Sequence, residues 1–257
     1  MKKVTLIGSG NLATRLSLAM SATGQFAFQQ VYSHTPEHAS DLANRLQCTW
    51  TTDAKAIHPG ADLYIFSLKD TALENIAAQV PANNGLWIHT AGSMPMEVFR
   101  PYASRYGVLY PLQTFSKQRE VNFRQIPLFL ESNSTESAAL LQEVASLLSD
   151  NVRFLSSEKR KNLHLAAVFA CNFTNHLYAL AGEILEEAGI PFDVLLPLID
   201  ETAAKVHDLS PRRAQTGPAV RYDENVIGKQ LVMLTDARMR EIYRLLSQSI
   251  HQKSQES

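Results

Sequence analysis

The pattern of apolar and polar positions changes character near residue 155. Before it, short apolar runs of the kind that form buried parallel strands alternate with stretches of helical periodicity. The runs at 4–7, 28–32, 48–51, 61–67, 85–90, 106–109, 127–131 and 151–155 predict strands. Helical spacing over 12–20, 36–46, 70–78 and 134–148 predicts the helices between them, with Thr35 placed to cap the second. This order is that of a doubly wound α/β sheet. After residue 155 the strand-like runs stop. A helix is predicted over 156–188, capped by Ser156 or Ser157 with Glu158 in its first turn and stopped by Gly189 and Pro191. Another is expected from its cap at Asp193 to Val206, and a last one over 228–248, with a loop over 209–225 and a frayed tail over 251–257. The chain is therefore read as two domains, an α/β domain over 1–155 and an all-α domain over 156–257.

The first strand-to-helix turn carries chemistry. Gly8-Ser9-Gly10-Asn11-Leu12-Ala13 follows directly on Val4-Thr5-Leu6-Ile7. Gly8 suits a tight turn, Gly10 lets backbone approach a pyrophosphate, and Ala13 takes the small position where helix packs on strand. The helix that follows would turn its N-terminal amides and positive dipole end to the phosphates. The turn thus identifies residues 1–155 as a Rossmann dinucleotide-binding domain. At the end of the second strand, where a carboxylate would bond the ribose 2′-hydroxyl of NAD, stand Ser33-His34-Thr35. Small hydroxyls and an imidazole beside a helix start favour the 2′-phosphate of NADP, with NAD as the alternative. Ser67-Leu68-Lys69 and His89-Thr90-Ala91-Gly92 fall at further strand ends where ligands collect in open sheets.

Composition narrows the partners. With 24 Lys and Arg against 25 Asp and Glu, the formal net charge of the 257 residues is −1, so neither a nucleic-acid surface nor a polybasic membrane patch is expected. Cys48 and Cys171 are too few and too distant for a metal cluster or disulfide framework; no metal is expected, and reduced thiols indicate a cytoplasmic protein. The most apolar stretch, 163–185, is interrupted by Asn172, Asn175, His176 and Glu183, so no membrane span is expected.

On the helix predicted from residue 156, an advance of 100° per residue gathers Lys161, His164, Val168, Asn172 and Asn175 in a sector about 80° wide. Leu163, Ala167, Ala170, Phe173, Leu177 and Ile184 take the other side. A polar band on an apolar helix needs water, a partner or a cleft, since each unpaired buried polar group costs about 1–3 kcal/mol. His164 and Asn172 are the resulting candidates for an active site.

Four segments carry a resemblance. His89-x-x-Gly92-Ser93, Tyr110-Pro111-Leu112-Gln113-Thr114-Phe115-Ser116, the run from His164 to Phe173, and Thr216-Gly217-Pro218-Ala219-Val220-Arg221-Tyr222-Asp223 resemble bacterial Rossmann-like NADP oxidoreductases with a C-terminal helical domain of unknown function. That organisation is similar to pyrroline-5-carboxylate reductase, ketopantoate reductase and the 3-hydroxyacid dehydrogenases, with a helical domain like that of 6-phosphogluconate dehydrogenase. Tyr110 stands where the family carries His, and Tyr222 where it carries Gly. The resemblance implies hydride transfer between NADPH and a small carbonyl or imine held between the domains, and a homodimer formed through the helical domain. The 3-hydroxyacid dehydrogenases use a helix Lys followed by an Asn, and only Lys161 or His164 could stand in for that Lys. The expected catalytic residues are therefore His164 as proton donor, Lys161 as its substitute and Asn172 as the substrate-orienting amide. His89, Ser93, Tyr110, Gln113 and Arg221 are expected at the substrate, Arg221 as a bidentate carboxylate anchor or, alternatively, paired with Asp223. Gly8, Ser9, Gly10, Asn11, Leu12, Ser33, His34, Thr35, Ser67, Leu68 and Lys69 are expected at the cofactor. Two other readings stay open at this point: a redox-inactive nucleotide-binding module, and a prephenate-dehydrogenase-like enzyme using NAD.

Overall fold

Residues 1–256 are described in a computed structural model of the chain. Strands and helices alternate from the start: β1 (Lys2–Ile7), α1 (Asn11–Ala22), β2 (Phe26–Tyr32), α2 (Pro36–Leu46), β3 (Thr49–Thr51), β4 (Leu63–Phe66), α3 (Asp70–Ala77) and β5 (Leu86–His89). They are followed by β6 (Tyr106–Pro111), β7 (Leu128–Ser132), α4 (Thr135–Ser146) and β8 (Val152–Phe154). One eight-stranded sheet results, in the order β3-β2-β1-β4-β5-β6-β7-β8. Every pairing is parallel except β6 with β7. The chain winds outward from β1 through β2 and β3, then returns to the other side of β1 as β4. That reversal is the topological switch point, where an open sheet offers a crevice at its carboxyl edge.

The alternation of side chains along β4 explains why both faces must be covered. Leu63 and Ile65 join Val4, Leu6, Leu86 and Ile88 on one face, under Leu16 and Met20 of α1, Leu42 and Leu46 of α2, and Leu141 and Val144 of α4. Tyr64 and Phe66 join Ile7 and Trp87 on the other, against Leu73 and Ala77 of α3 and Phe99. Trp87 anchors that second layer, its ring 4.9 Å from Phe66 and edge-on to Phe99 at 5.7 Å. Each large apolar side chain so buried stabilises the fold by about 1.5–3 kcal/mol. Thr35 does hold the N-cap position of α2, yet its side chain makes no capping bond; Pro36 at the first helical position sets the start instead. Ser134 caps α4 through the Ser137 amide at 3.1 Å.

A buried ion pair fixes the next helix, α5 (Ser157–Ala167), which Ser156 caps. Arg160 is 1% exposed and its Nη1 donates to Glu131 of β7. Both oxygens of the same carboxylate accept from Ser157, Oε1 from its amide and Oε2 from its hydroxyl, each at 2.7 Å. The Arg160 Nη2 reaches the Met94 carbonyl at 2.5 Å and the Ser157 hydroxyl at 3.1 Å. Removing either charge would strand the other in the interior at a cost of about 3–5 kcal/mol. A π-helical segment, Val168–Phe173, follows α5. The chain divides into two compact units after Asn172, later than the change of pattern at residue 155. α5 belongs to the first unit because Glu131 clamps it to the sheet.

The second unit contains α6 (Thr174–Glu187), a 3-10 turn (Phe192–Leu195), α7 (Leu196–Asp208), α8 (Pro211–Ala214), α9 (Pro218–Arg221), α10 (Glu224–Met233) and α11 (Ala237–Gln255). It departs from the sequence reading in four places. Asp193 caps no α-helix; it lies inside the 3-10 turn that leads into α7. The segment 209–225 is not a plain loop, because Pro211 and Pro218 each preset a helical first turn. The single last helix is two, α10 capped by Asp223 and α11 by Asp236, whose Oδ1 accepts from the Met239 amide at 2.7 Å. The tail is helical through Gln255, since the His251 ring and the Ser254 hydroxyl both bond the Val220 carbonyl, at 3.1 and 3.0 Å. Among the described residues of this unit only Ile227 and Ser247 are buried, while Leu198, Val232 and Met233 remain 62%, 85% and 76% exposed.

Candidate active site

The two glycines of the first turn are needed for different reasons. Gly8 has φ +122°, and a Cβ there would lie 2.1 Å from the Ser67 carbonyl oxygen, so the converging ends of β1 and β4 exclude any other residue. Gly10 has φ −72°, open to every residue type, and a Cβ there would meet no atom within 4 Å. Nothing in the protein requires the second glycine. It occupies the N-cap of α1, without a side-chain cap, and the first amides of that helix have no intrahelical partner. The cradle of open backbone, free amides and positive dipole end fits a dinucleotide pyrophosphate.

The side chains around this turn divide into a latch and an open rim. Ser9 donates to Ser33 at 2.8 Å, and Ser33 also accepts from the Thr35 amide at 3.3 Å. Both serines are buried, so their hydroxyls tie the turn to the end of β2 and do not face a ligand. His34 and Thr35 remain accessible beside the start of α2. Ser67 accepts from the Thr90 hydroxyl at 3.3 Å, Leu68 packs on the core, and Lys69 is exposed at the N-cap of α3. On the opposite flank, Asn11 donates to the Phe115 carbonyl at 2.9 Å and Arg15 Nε to the Ser116 carbonyl at 3.0 Å, holding the loop after β6 against the start of α1.

A groove of about 640 Å³ opens between that loop, α1 and α5. Asn11, Tyr110, Gln113, Thr114, His164, Cys171 and Asn172 supply its polar side chains; Leu12, Leu112, Leu163, Ala166, Ala167 and Ala170 make up most of its apolar wall. None of its lining side chains is Lys, Arg, Asp or Glu. The Tyr110 hydroxyl lies 3.0 Å from His164 Nδ1, with the two rings edge-on at 5.9 Å. Burial raises the pKa of this phenol above its ordinary value, the nearby Arg160 charge opposing it. The π-helical segment carries Cys171 and Asn172 to the groove. Its wider, i→i+5 bonded turn means that the 100° spacing does not hold beyond Ala167. Asn175 lies beyond that segment, in the second unit.

Other predicted residues lie elsewhere. Lys161 is exposed and outside the groove. Ser93 donates to the Asp70 carboxylate. Arg221 ends α9 in the second unit, and the expected pair with Asp223 is not formed, because that carboxylate caps α10. His89 is a correction: it is fully buried and both ring nitrogens are committed to backbone. The Ala91 amide donates to Nδ1 at 3.2 Å, so the Nε2 hydrogen goes to the Pro95 carbonyl at 3.3 Å. Sequence reasoning missed Arg160 and Glu131. A carboxylate at the end of the apolar run of β7 and an arginine one turn inside α5 were the signals. Among the described residues no His, Cys, Asp or Glu cluster suits a metal, and no helix is long and apolar enough to cross a membrane. Both cysteines are free, and burial pushes the Cys48 thiol up to about 11.

Two family models match this architecture. Residues 3–88 match the one described as NADP oxidoreductase, coenzyme F420-dependent, and residues 126–250 match a domain of unknown function, DUF2520. The putative NADP oxidoreductase of Bacteroides fragilis is 55% identical, the alignment covering 98% of this chain and 98% of that one, with a TM-score of 0.92. The chain belongs to this NADP oxidoreductase family. Two more distant structures share the fold. The 1-pyrroline-5-carboxylate reductase of Streptococcus pyogenes is 15% identical over 100% of this chain and 99% of that one, with a TM-score of 0.62. The reductive aminase of Aspergillus terreus, in complex with NADPH4, cyclohexanone and allyl amine, is 15% identical over 100% and 95%, at 0.73. No curated protein matches the sequence.

In this NADP oxidoreductase His89 makes stability depend on pH. Burial first, then the Arg160 charge, holds the imidazole at about 3, against the Pro95 bond, which acts the other way. Unfolded, it titrates near 6.5. Between those values the unfolded chain binds a proton that the folded chain does not, so stability falls as the pH drops through this window, by up to about 1.4 kcal/mol per pH unit. Urea unfolding at pH 7, 6, 5 and 4 should show this slope in the wild type and a shallower one in His89→Gln. Equal slopes would mean that His89 is protonated in the folded protein.

Proposed function

We propose that this oxidoreductase transfers a hydride between NADPH and a small carbonyl or imine compound bound in the groove beside the glycine turn. One observation carries the reading. Asn11 and Leu12, which begin α1 at the cradle for the pyrophosphate, also line the groove that holds Tyr110, His164 and Asn172. A nucleotide held on the α1 amides would adjoin an uncharged pocket whose polar side chains include one imidazole, His164, and the amides of Asn11, Gln113 and Asn172. His34 and Thr35 are the residues that would meet the 2′-phosphate of NADP. The bound cofactor supplies the hydride. Within the protein, His164 donates a proton to the atom that gains negative charge, and Asn172 orients it by donating or accepting through its amide.

We also propose that the second unit pairs with a second copy of the chain. Its helices bury almost nothing among themselves and leave Leu198, Val232 and Met233 in the open, more apolar surface than a lone helical unit tolerates. Sedimentation velocity at micromolar concentration should give a dimer; a monomer would overturn the assignment.

Cofactor binding is tested at Gly10. Gly10→Val should fold normally, since its backbone is unstrained and its surroundings empty, yet lose NADPH binding in calorimetry by at least about 100-fold, equivalent to about 2.7 kcal/mol. Unchanged affinity would remove the site. The wild type should bind NADPH more tightly than NADH, and equal affinities would remove the role of His34 and Thr35.

For the chemistry, His164→Ala and Asn172→Ala should each leave NADPH affinity nearly unchanged while lowering turnover by about 10²–10⁴-fold, the range for a placed acid or base. A small loss at His164 beside a large one at Asn172 would point to an imine that arrives already protonated. Full activity in both variants would move the reaction out of the groove.

A further inference from the structure

Two features bear on the same ring nitrogen of His164. The Tyr110 hydroxyl is 3.0 Å from Nδ1, and it is the one polar partner of that hydroxyl among the described residues. Gly92 lies against the same edge: a Cβ there would stand 2.5 Å from Nδ1 and 2.6 Å from Cγ. The ring thus occupies space that only a glycine leaves, pressed between the loop after β5 and the end of β6. Nε2 has no protein partner among the described residues.

We infer that Tyr110 is a positioning residue that holds His164 with a hydrogen on Nε2, so the groove offers a hydrogen-bond donor and takes a substrate presenting an acceptor atom, a carbonyl oxygen or an unprotonated imine nitrogen. This rests on His164 being the proton donor of the reaction.

The argument follows from counting donors and acceptors. A phenol hydroxyl in a buried position needs an acceptor, and in the neutral imidazole the only acceptor in reach is the bare Nδ1, which leaves the hydrogen on Nε2. When the ring takes a second proton, the Nδ1 hydrogen is accepted by the Tyr110 oxygen and Nε2 keeps its own. Nε2 therefore donates in both charge states. Burial reinforces this by keeping the phenol protonated. The Arg160 guanidinium bonds Glu131, Ser157 and the Met94 carbonyl through Nη1 and Nη2, and its buried Nε makes no hydrogen bond to Nδ1 or to any other atom. The groove lining holds no carboxylate to pair with a cationic iminium. A donor facing the pocket also disfavours one, because a protonated nitrogen has no lone pair to accept the bond.

Two-bond ¹⁵N–¹H correlation on the ¹⁵N-labelled full chain reads the tautomer without substrate or cofactor. At about pH 8.5, two units above the ordinary imidazole value, His164, assigned by its absence in His164→Asn, should show a protonated Nε2 and a bare Nδ1. Tyr110→Phe keeps the ring volume and should replace that single form by a mixture of tautomers. Gly92→Ala should lose the signature as well, with the tyrosine intact, because the methyl group displaces the imidazole. A hydrogen on Nδ1 in the wild type, or an unchanged spectrum in Tyr110→Phe, would overturn the inference. Either result would leave cofactor binding at Gly10 and the effect of His164→Ala on turnover to be judged separately.

Discussion

The buried pair between Arg160 and Glu131 is the constraint on which the candidate site depends. β7 enters the sheet antiparallel to β6, and its last residues would otherwise carry a carboxylate out of an apolar layer for no structural gain. Instead Glu131 receives the amide and hydroxyl of Ser157 together with the Arg160 guanidinium, fastening the first turn of α5 to the sheet. The second guanidinium nitrogen extends the bond to Met94, so the loop after β5 is held by the same charge. Three segments that are distant in sequence meet at one ion pair. His164 lies one helical turn beyond Arg160, so the clamp also sets the height at which the imidazole meets Tyr110. A pair of this kind contributes little net stability compared with an apolar substitute, but its removal is costly, which makes the geometry hard to relax.

The glycines show how a fold separates its own needs from those of a ligand. At Gly8 the conformation and the Ser67 carbonyl both exclude a side chain, so the residue is explained by β1 and β4 alone. At Gly10 neither reason exists. The emptiness there is oriented, since it lies in front of the unpaired amides of α1 at the sheet's switch point. Gly92 is a third case, where the missing side chain makes room for another residue of the protein, His164. A glycine motif in a sequence does not distinguish these roles; the neighbours in space do.

Much of the first unit was legible from local patterns. Strands covered on both faces read as apolar runs, and six of them, β1, β2 and β4 to β7, lie inside the sheet between the short edge strands β3 and β8. The second unit was harder, because helical periodicity continues across breaks that depend on a single cap. Asp236 interrupts the last helix without disturbing the apolar spacing on either side, and the short helices at Pro211 and Pro218 are too brief to show a period. For the candidate site, His164 and Asn172 were proposed from a projection that assumes one α-helix throughout. They do share the groove, but Asn172 reaches it through a π-helical turn that no propensity announces. Tyr110 was visible only as a departure from the family's histidine, and its partnership with His164 required the register of β6 against α5.

The two histidines illustrate why residue type alone does not locate chemistry. His89 ends β5 at the carboxyl edge of the sheet and, by position, is as good a candidate as His164. Its ring, however, sits inside the layer formed by Phe99 and the end of β5, where both nitrogens are satisfied by main chain and charging it would place a second cation near Arg160. Burial and the Arg160 charge hold it well below the ordinary imidazole range, and its buried ring leaves no nitrogen free. His164 is half-buried, with one nitrogen bonded to a phenol and the other without a protein partner. A proton donor needs one face fixed and one face free. Packing around Gly92 and Tyr110 gives that division to His164, whereas packing around Pro95 denies it to His89.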